Sequence, residues 1–129
     1  MTREDLKRRC LSAIYENKEK IIAIGEDIFS HPELGFKEER TSRLVRDVLD
    51  SLNIPHQDHL ALTGVKGTLK GGEQGPRVMV MGELDAVVCP LHPQADPQTG
   101  AAHSCGHNSQ IASMLGAAMG LAPLAKELC

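Results

Sequence analysis

An α/β fold arranged as an αβα sandwich is expected for this chain on three observations. Apolar residues recur at helical spacing from Leu6 to Leu52, the period becomes strand-like between Ile54 and Met81, and a helical pattern returns after Asn108. With no Trp, one Tyr and two Phe among 129 residues, the core must be built from Ile, Leu, Val, Met and Ala. That length suits one hydrophobic core better than two.

Thr2-Arg3-Glu4-Asp5 has the form of a capping box, and Leu6, Cys10, Ile14, Ile21, Ile24 and Ile28 follow at intervals of three, four or seven. One long amphipathic helix ending near Ser30 is therefore predicted. His31-Pro32-Glu33-Leu34-Gly35-Phe36 breaks it, because Pro32 disfavours helical geometry at His31 and Gly35 supplies a turn. These neighbours make His31 a turn residue rather than a catalytic one. A second helix is predicted from about Glu38 to Leu52, with Leu44, Val45, Val48, Leu49 and Leu52 on one face, stopping before Pro55. Glu38 and Glu39 stand at its start, where negative charge complements the helix dipole.

Residues Gly64 to Lys70 alternate as a strand, and Gly71-Gly72-Glu73-Gln74-Gly75-Pro76 forms a turn. Arg77-Val78-Met79-Val80-Met81 is a short apolar run expected to be a buried strand. The glycines are no phosphate loop, since no Lys-Ser pair and no helix follow them. Pro90, Pro93, Pro97 and Gly100 mark the stretch from Cys89 to Gly100 as a loop, and a last helix begins near Asn108 or Ser109, its Met114, Leu115, Ala118 and Leu121 serving the core. Ligands of open α/β sheets sit beyond the carboxyl ends of strands. Gly82-Glu83-Leu84-Asp85-Ala86 lies just past the apolar run, so its acids can converge with the loop that precedes the last helix.

That loop is His103-Ser104-Cys105-Gly106-His107-Asn108. One glycine separates Cys105 from His107, so a thiolate and an imidazole can face one ion while Gly106 lets the backbone bend. The pair suits zinc first, with manganese, iron and cobalt as alternatives. His103 is assigned a structural place in the loop, and Asp85 either caps a turn or orients the site.

Three segments in order resemble one family: Ser30 to Phe36 with Glu38, Glu39 and Thr41; Gly82 to Ala86; and His103 to Asn108 running into Leu115-Gly116-Ala117-Ala118. The chain resembles the start of a metal-dependent amidohydrolase of the aminoacylase and glutamate-carboxypeptidase superfamily, in the branch of aminobenzoyl-glutamate, hippurate and auxin-conjugate hydrolases. The resemblance implies a zinc-peptidase-like catalytic domain using two divalent ions, zinc or manganese, to cleave the amide of N-acyl or N-aroyl amino acids or short peptides. It places Cys105 and His107 on metal-ligand positions and Asp85 on an acidic position that orients the metal site. Glu83 stands where related branches carry a histidine ligand. Many members have Asp where this chain has Asn108 and His where it has Gln110, and the asparagine favours the aminobenzoyl-glutamate type.

The resemblance further implies a Glu-Glu pair, later histidines and a smaller lid or dimerisation domain beyond Cys129. Residues 1–129 are thus expected to be the N-terminal portion of a single catalytic domain, inactive alone, whose parent enzyme is a homodimer. A formal net charge of −3 with interspersed signs offers no basic stripe, which excludes nucleic acid and membrane lipid as expected partners. The charged start, Met1 to Arg9, lacks a signal-peptide core, and four scattered cysteines fit reduced thiols, so a cytoplasmic location is expected. Two other readings stay open. Cys89-x-x-His92 with Cys105-x-His107 could form a self-contained structural zinc module, or the chain could be an accessory subunit that has lost the chemistry.

Overall fold

The computed structural model describes residues 2–129. Thr2 opens helix α1 (Arg3–Glu16) with the expected capping box: its hydroxyl accepts the Asp5 N–H at 3.1 Å, and the Asp5 carboxylate accepts the Thr2 N–H at 3.2 Å. The single long helix expected to reach Ser30 is divided at Asn17, whose side-chain amide donates back to the Ala13 carbonyl at 2.8 Å. A short amide competes for backbone partners, which is why the break falls there. Helix α2 (Lys18–Ser30) continues beyond it.

Helix α3 (Glu39–Ser51) begins where the sequence places it, but a different carboxylate secures its start. Glu33, reaching across from the Pro32 turn, accepts from the N–H groups of Arg40 at 2.9 Å and Thr41 at 2.8 Å and from the Thr41 hydroxyl at 2.7 Å. Glu38 makes no capping bond. It is buried and accepts from the Thr63 hydroxyl at 2.7 Å, while Ser42 donates to the Thr63 carbonyl at 2.6 Å. The expected dipole role of Glu38 is thus replaced by a buried polar tie from α3 to the hairpin that follows.

That hairpin pairs β1 (His56–Leu60) with β2 (Gly64–Gly67) antiparallel, with a register shift between Gln57 and Leu60. The polar sequence of β1 hides its strand character. It is held at α3 by Arg46–Asp58 at 2.9 Å and His56–Asp50 at 3.0 Å. The buried strand expected at Arg77–Met81 does not form: Val78, Met79, Val80 and Met81 are 81%, 70%, 59% and 78% exposed. An apolar run becomes a strand only when neighbours take its backbone bonds, and β1–β2 lies on α3 instead of beside it. The expected loop from Cys89 to Gly100 is closed by a two-residue ribbon, β3 (Val87–Val88) with β4 (Ala101–Ala102), in the register Val87↔Ala102 and Val88↔Ala101.

Helix α4 (His107–Leu121) runs into a 3-10 helix over Ala122–Glu127. Its small residues permit close packing on α1 and α2. A Cβ at Gly116 would lie 3.1 Å from Ile21 Cδ1, one at Gly120 would lie 2.7 Å from Ile14 Cγ1 and 2.9 Å from Cys10 Sγ, and one at Gly25 meets Ala112 at 3.3 Å. Between α2, α3 and α4 lies the core, including Ile24, Ile28, Val45, Leu49, Ile111, Leu115 and Met119. Each fully buried aliphatic side chain contributes about 1.5–3 kcal/mol. The glycine turn has a further use. Leu128 accepts at its carbonyl from Gly72 N–H at 2.8 Å and Glu73 N–H at 3.2 Å, and a Cβ at Gly72 would overlap the Lys126 carbonyl.

The described residues thus form a mixed helix and strand structure, compatible with the α/β class, with two small antiparallel sheets. Among them no helix is long and apolar enough to cross a membrane. Replacing Gly120 by Val sets a Cβ 2.7 Å from Ile14 Cγ1 and 2.9 Å from Cys10 Sγ, with two further methyl groups to place. The expected outcome is a loss of about 1–3 kcal/mol in urea unfolding, and an unchanged midpoint would show that α4 does not lie this close to α1.

Candidate functional site

Gly106 forms the N-cap of α4 at φ +83, the left-handed region that glycine enters without strain. No atom lies within 4 Å of a Cβ placed there, so backbone geometry rather than space requires glycine. This bend sends His107 into the first turn of α4, where its side chain is only 13% exposed. Asn108 and Gln110 then tie the helix start on two sides. Asn108 donates its amide to the Gly25 carbonyl at 3.2 Å, and Gln110 accepts the Glu83 N–H at 3.2 Å. The first bond accounts for the amide at 108, because a carboxylate cannot donate.

His107 is gripped at both ring nitrogens. Nδ1 lies 2.7 Å from the Asp85 carbonyl and 3.2 Å from Asp85 Oδ1, while Nε2 lies 3.0 Å from Glu83 Oε2. A carbonyl oxygen only accepts, so Nδ1 carries the proton and donates. Asp85 is held in turn by the chain around it. The Ala86 N–H donates to the Glu33 carbonyl at 2.7 Å, and Leu34 forms a parallel bridge with Ala86, so the Pro32 turn lies alongside the Glu83–Ala86 segment.

Cys105 is exposed and reduced. His103, at the end of β4, is 5% exposed and has no hydrogen-bond partner for either ring nitrogen among the described residues. Burial, followed by the positive charge of the neighbouring His107, pushes its imidazole below the usual histidine range, with Asp85 and Glu33 opposing. Burial thus disfavours the charged form of His103. His31 ends α2 as its C-cap, with Nδ1 2.8 Å from the Asp27 carbonyl, as expected of a turn residue.

The four-ligand zinc module is not assembled. The backbone N–H of Cys89 donates to the Gly100 carbonyl at 2.8 Å, and the His92 ring packs edge-on against Phe29 at 6.2 Å. Among the described residues no three His, Cys, Asp or Glu side chains are gathered in a way that could hold a metal ion. Thiolate and imidazole are the ligand types that suit zinc, and Cys105 and His107 carry them on either side of Gly106. The pairing of Glu83 with His107 goes beyond the roles the sequence assigns. Its signal is the two-residue spacing from Asp85, which in an extended chain puts both side chains on one side.

Comparison with known proteins finds relatives over most of the chain. The thermostable carboxypeptidase 2 of Saccharolobus solfataricus is 32% identical over 120 residues, covering 88% of this chain and 30% of that protein. The N-acyl-L-amino acid amidohydrolase of Geobacillus stearothermophilus is 32% identical over 123 residues, 92% of this chain and 32% of the relative. The N-acetylcysteine deacetylase of Bacillus subtilis is 35% identical over 106 residues, 78% of this chain and 27% of the relative. The chain spans about a third of the length of these relatives. No family model and no solved structure matches it.

Changing Asn108 to Asp removes the donor to Gly25 and points a carboxylate at a carbonyl. The expected cost is about 1–3 kcal/mol in urea unfolding, with a smaller cost for Gln110→Glu, which keeps an acceptor for the Glu83 N–H. Equal effects of the two variants would contradict the assigned bonds.

Proposed function

Because this chain belongs to the superfamily of carboxypeptidases and N-acyl-amino-acid amidohydrolases, matching an N-terminal portion of its members, we propose that it supplies metal-ligating residues of a metal-dependent amidohydrolase. The substrates are N-acyl or N-aroyl amino acids or short peptides, with aminobenzoyl-glutamate as the favoured type. Residues 1–129 are read as the N-terminal portion of a zinc-peptidase-like catalytic domain, an αβα sandwich in its complete form. The parent enzyme is read as cytoplasmic and homodimeric, with a smaller second domain.

The observation that carries this reading is the grip on His107. Its Nδ1–H is committed to Asp85, which leaves Nε2 as the ligating nitrogen, and Glu83 stands 3.0 Å from that atom. A histidine that ligates a metal commonly has one nitrogen anchored to a carbonyl or carboxylate, as Nδ1 is here, and Nε2 would exchange its Glu83 contact for the ion. Asp85 acts here as a positioning residue: it fixes the ring orientation and the tautomer. Cys105, exposed in the bend that Gly106 turns, would supply a thiolate beside His107.

Two divalent ions, zinc or manganese, would lower the pKa of a bound water toward neutrality and polarise the amide carbonyl. The proton that water loses requires a carboxylate base. Glu38 is occupied with Thr63 and Glu33 with the start of α3, so neither is available for that task. Further ligands and the base are expected from the region of the relatives that this chain does not span.

A polypeptide extended by that region is expected to hydrolyse N-acyl amino acids, to lose activity on chelation and to regain it with zinc or manganese. Cys105→Ser or His107→Gln should lower kcat/KM more than about 100-fold, whereas Cys89→Ser should leave it within about twofold of the parent. Full activity in a Cys105→Ser, His107→Gln double variant would refute the assignment.

A further inference from the structure

Glu33 stands at a junction between the start of α3 and the segment that grips His107. Its carboxylate accepts three hydrogen bonds: Oε1 from the Arg40 N–H at 2.9 Å, and Oε2 from the Thr41 N–H at 2.8 Å and the Thr41 hydroxyl at 2.7 Å. Its backbone carbonyl accepts a fourth, from the Ala86 N–H at 2.7 Å. That N–H and the Asp85 carbonyl are opposite edges of one planar trans peptide, so they point in opposite directions. The Asp85 carbonyl is the atom that lies 2.7 Å from His107 Nδ1. A single peptide plane is therefore held by Glu33 on one edge and meets the imidazole with the other. Ala86 is buried, so its N–H cannot readily turn to solvent for a substitute partner.

We propose that Glu33 is a positioning residue for His107. The carboxylate fixes residue 33 against α3, the carbonyl fixes the Asp85–Ala86 peptide, and that peptide fixes the tautomer and orientation of the ring. Donation from the Ala86 N–H also polarises the amide and makes its carbonyl a better acceptor, so the two bonds reinforce each other. The Leu34–Ala86 bridge and Gly35, where a Cβ would lie 4.0 Å from Asp85 Cβ, keep the turn alongside the same peptide. A helix cap needs only a side chain. Glu33 adds a backbone bond to the segment carrying Asp85, which capping α3 does not call for. The metal role of His107 rests on the hydrolytic reading, whereas the placement of its ring does not.

Nuclear magnetic resonance of the metal-free 129-residue chain tests this. Glu33→Gln keeps the volume but leaves one acceptor oxygen and sets an amide N–H2 against backbone donors. The Ala86 amide should then exchange at least about tenfold faster, and the His107 ring nitrogens should shift from the Nδ1–H form toward a mixture of tautomers. Thr41→Val, which removes one of the three bonds, should move the ring signals less and in the same direction, and it serves if Glu33→Gln does not fold. Arg40→Ala breaks the pair with Asp27, two contacts at 2.8 Å, but keeps the Arg40 N–H, so it should leave the ring signals in place. Ring signals unmoved in the folded Glu33 or Thr41 variant, or moved as far by Arg40→Ala, would overturn the proposal. On titration with zinc, Glu33→Gln should bind about tenfold more weakly than the parent chain. Ring signals that move as expected in a chain whose His107 ignores zinc would uphold the positioning and count against the hydrolytic reading.

Discussion

The close approach of α4 to α1 and α2 is the constraint on which the rest of the structure depends. Gly25, Gly116 and Gly120 let helix surfaces meet where a Cβ would press on Ala112, Ile21, Ile14 or Cys10. Packing at that distance seats Ile111, Leu115 and Met119 against Ile24 and Ile28 and fixes where α4 begins. Its first residue is His107, so the core fixes the helix that carries the imidazole and the Gly106 bend turns the chain into it. Asn108 and Gln110 fasten the same helix start to α2 and to the segment carrying Glu83 and Asp85. The order of causes runs from small residues, to close packing, to a helix start held on two sides, to an oriented ring.

Much of this was legible in the sequence. The capping box at Thr2, the break at Pro32, the helix over residues 39–51 and the last helix appear where composition and period place them. These are local signals. What the sequence misplaced depends on partners far along the chain. Arg77–Met81 has a strand's composition and no strand beside it, while His56–Leu60 has a polar composition and becomes a strand because β2 pairs with it and α3 supports it. The carboxylate that caps α3 comes from Glu33, seven residues before the N–H it accepts, across a turn whose path the spacing does not specify.

At the site, residue types were legible and their arrangement was not. Cys105 and His107 stand out because thiol and imidazole flank a single glycine. The tautomer of His107 follows only from the Asp85 carbonyl, a backbone atom no motif can encode. The sequence also left open a closed zinc module, but among the described residues its side chains are not gathered into a group that could hold a metal ion. Under the proposed reading, Cys105 and His107 would be a partial donor set of a shared catalytic centre rather than of a self-contained structural one.

One thiolate and one imidazole of this chain are claimed to hold a metal ion without help from Cys89. X-ray absorption at the zinc edge of the zinc-loaded chain tests that claim directly. A single sulfur scatterer at about 2.3 Å is expected, with the remaining scatterers nitrogen or oxygen. Two sulfurs per zinc, or none, would contradict it.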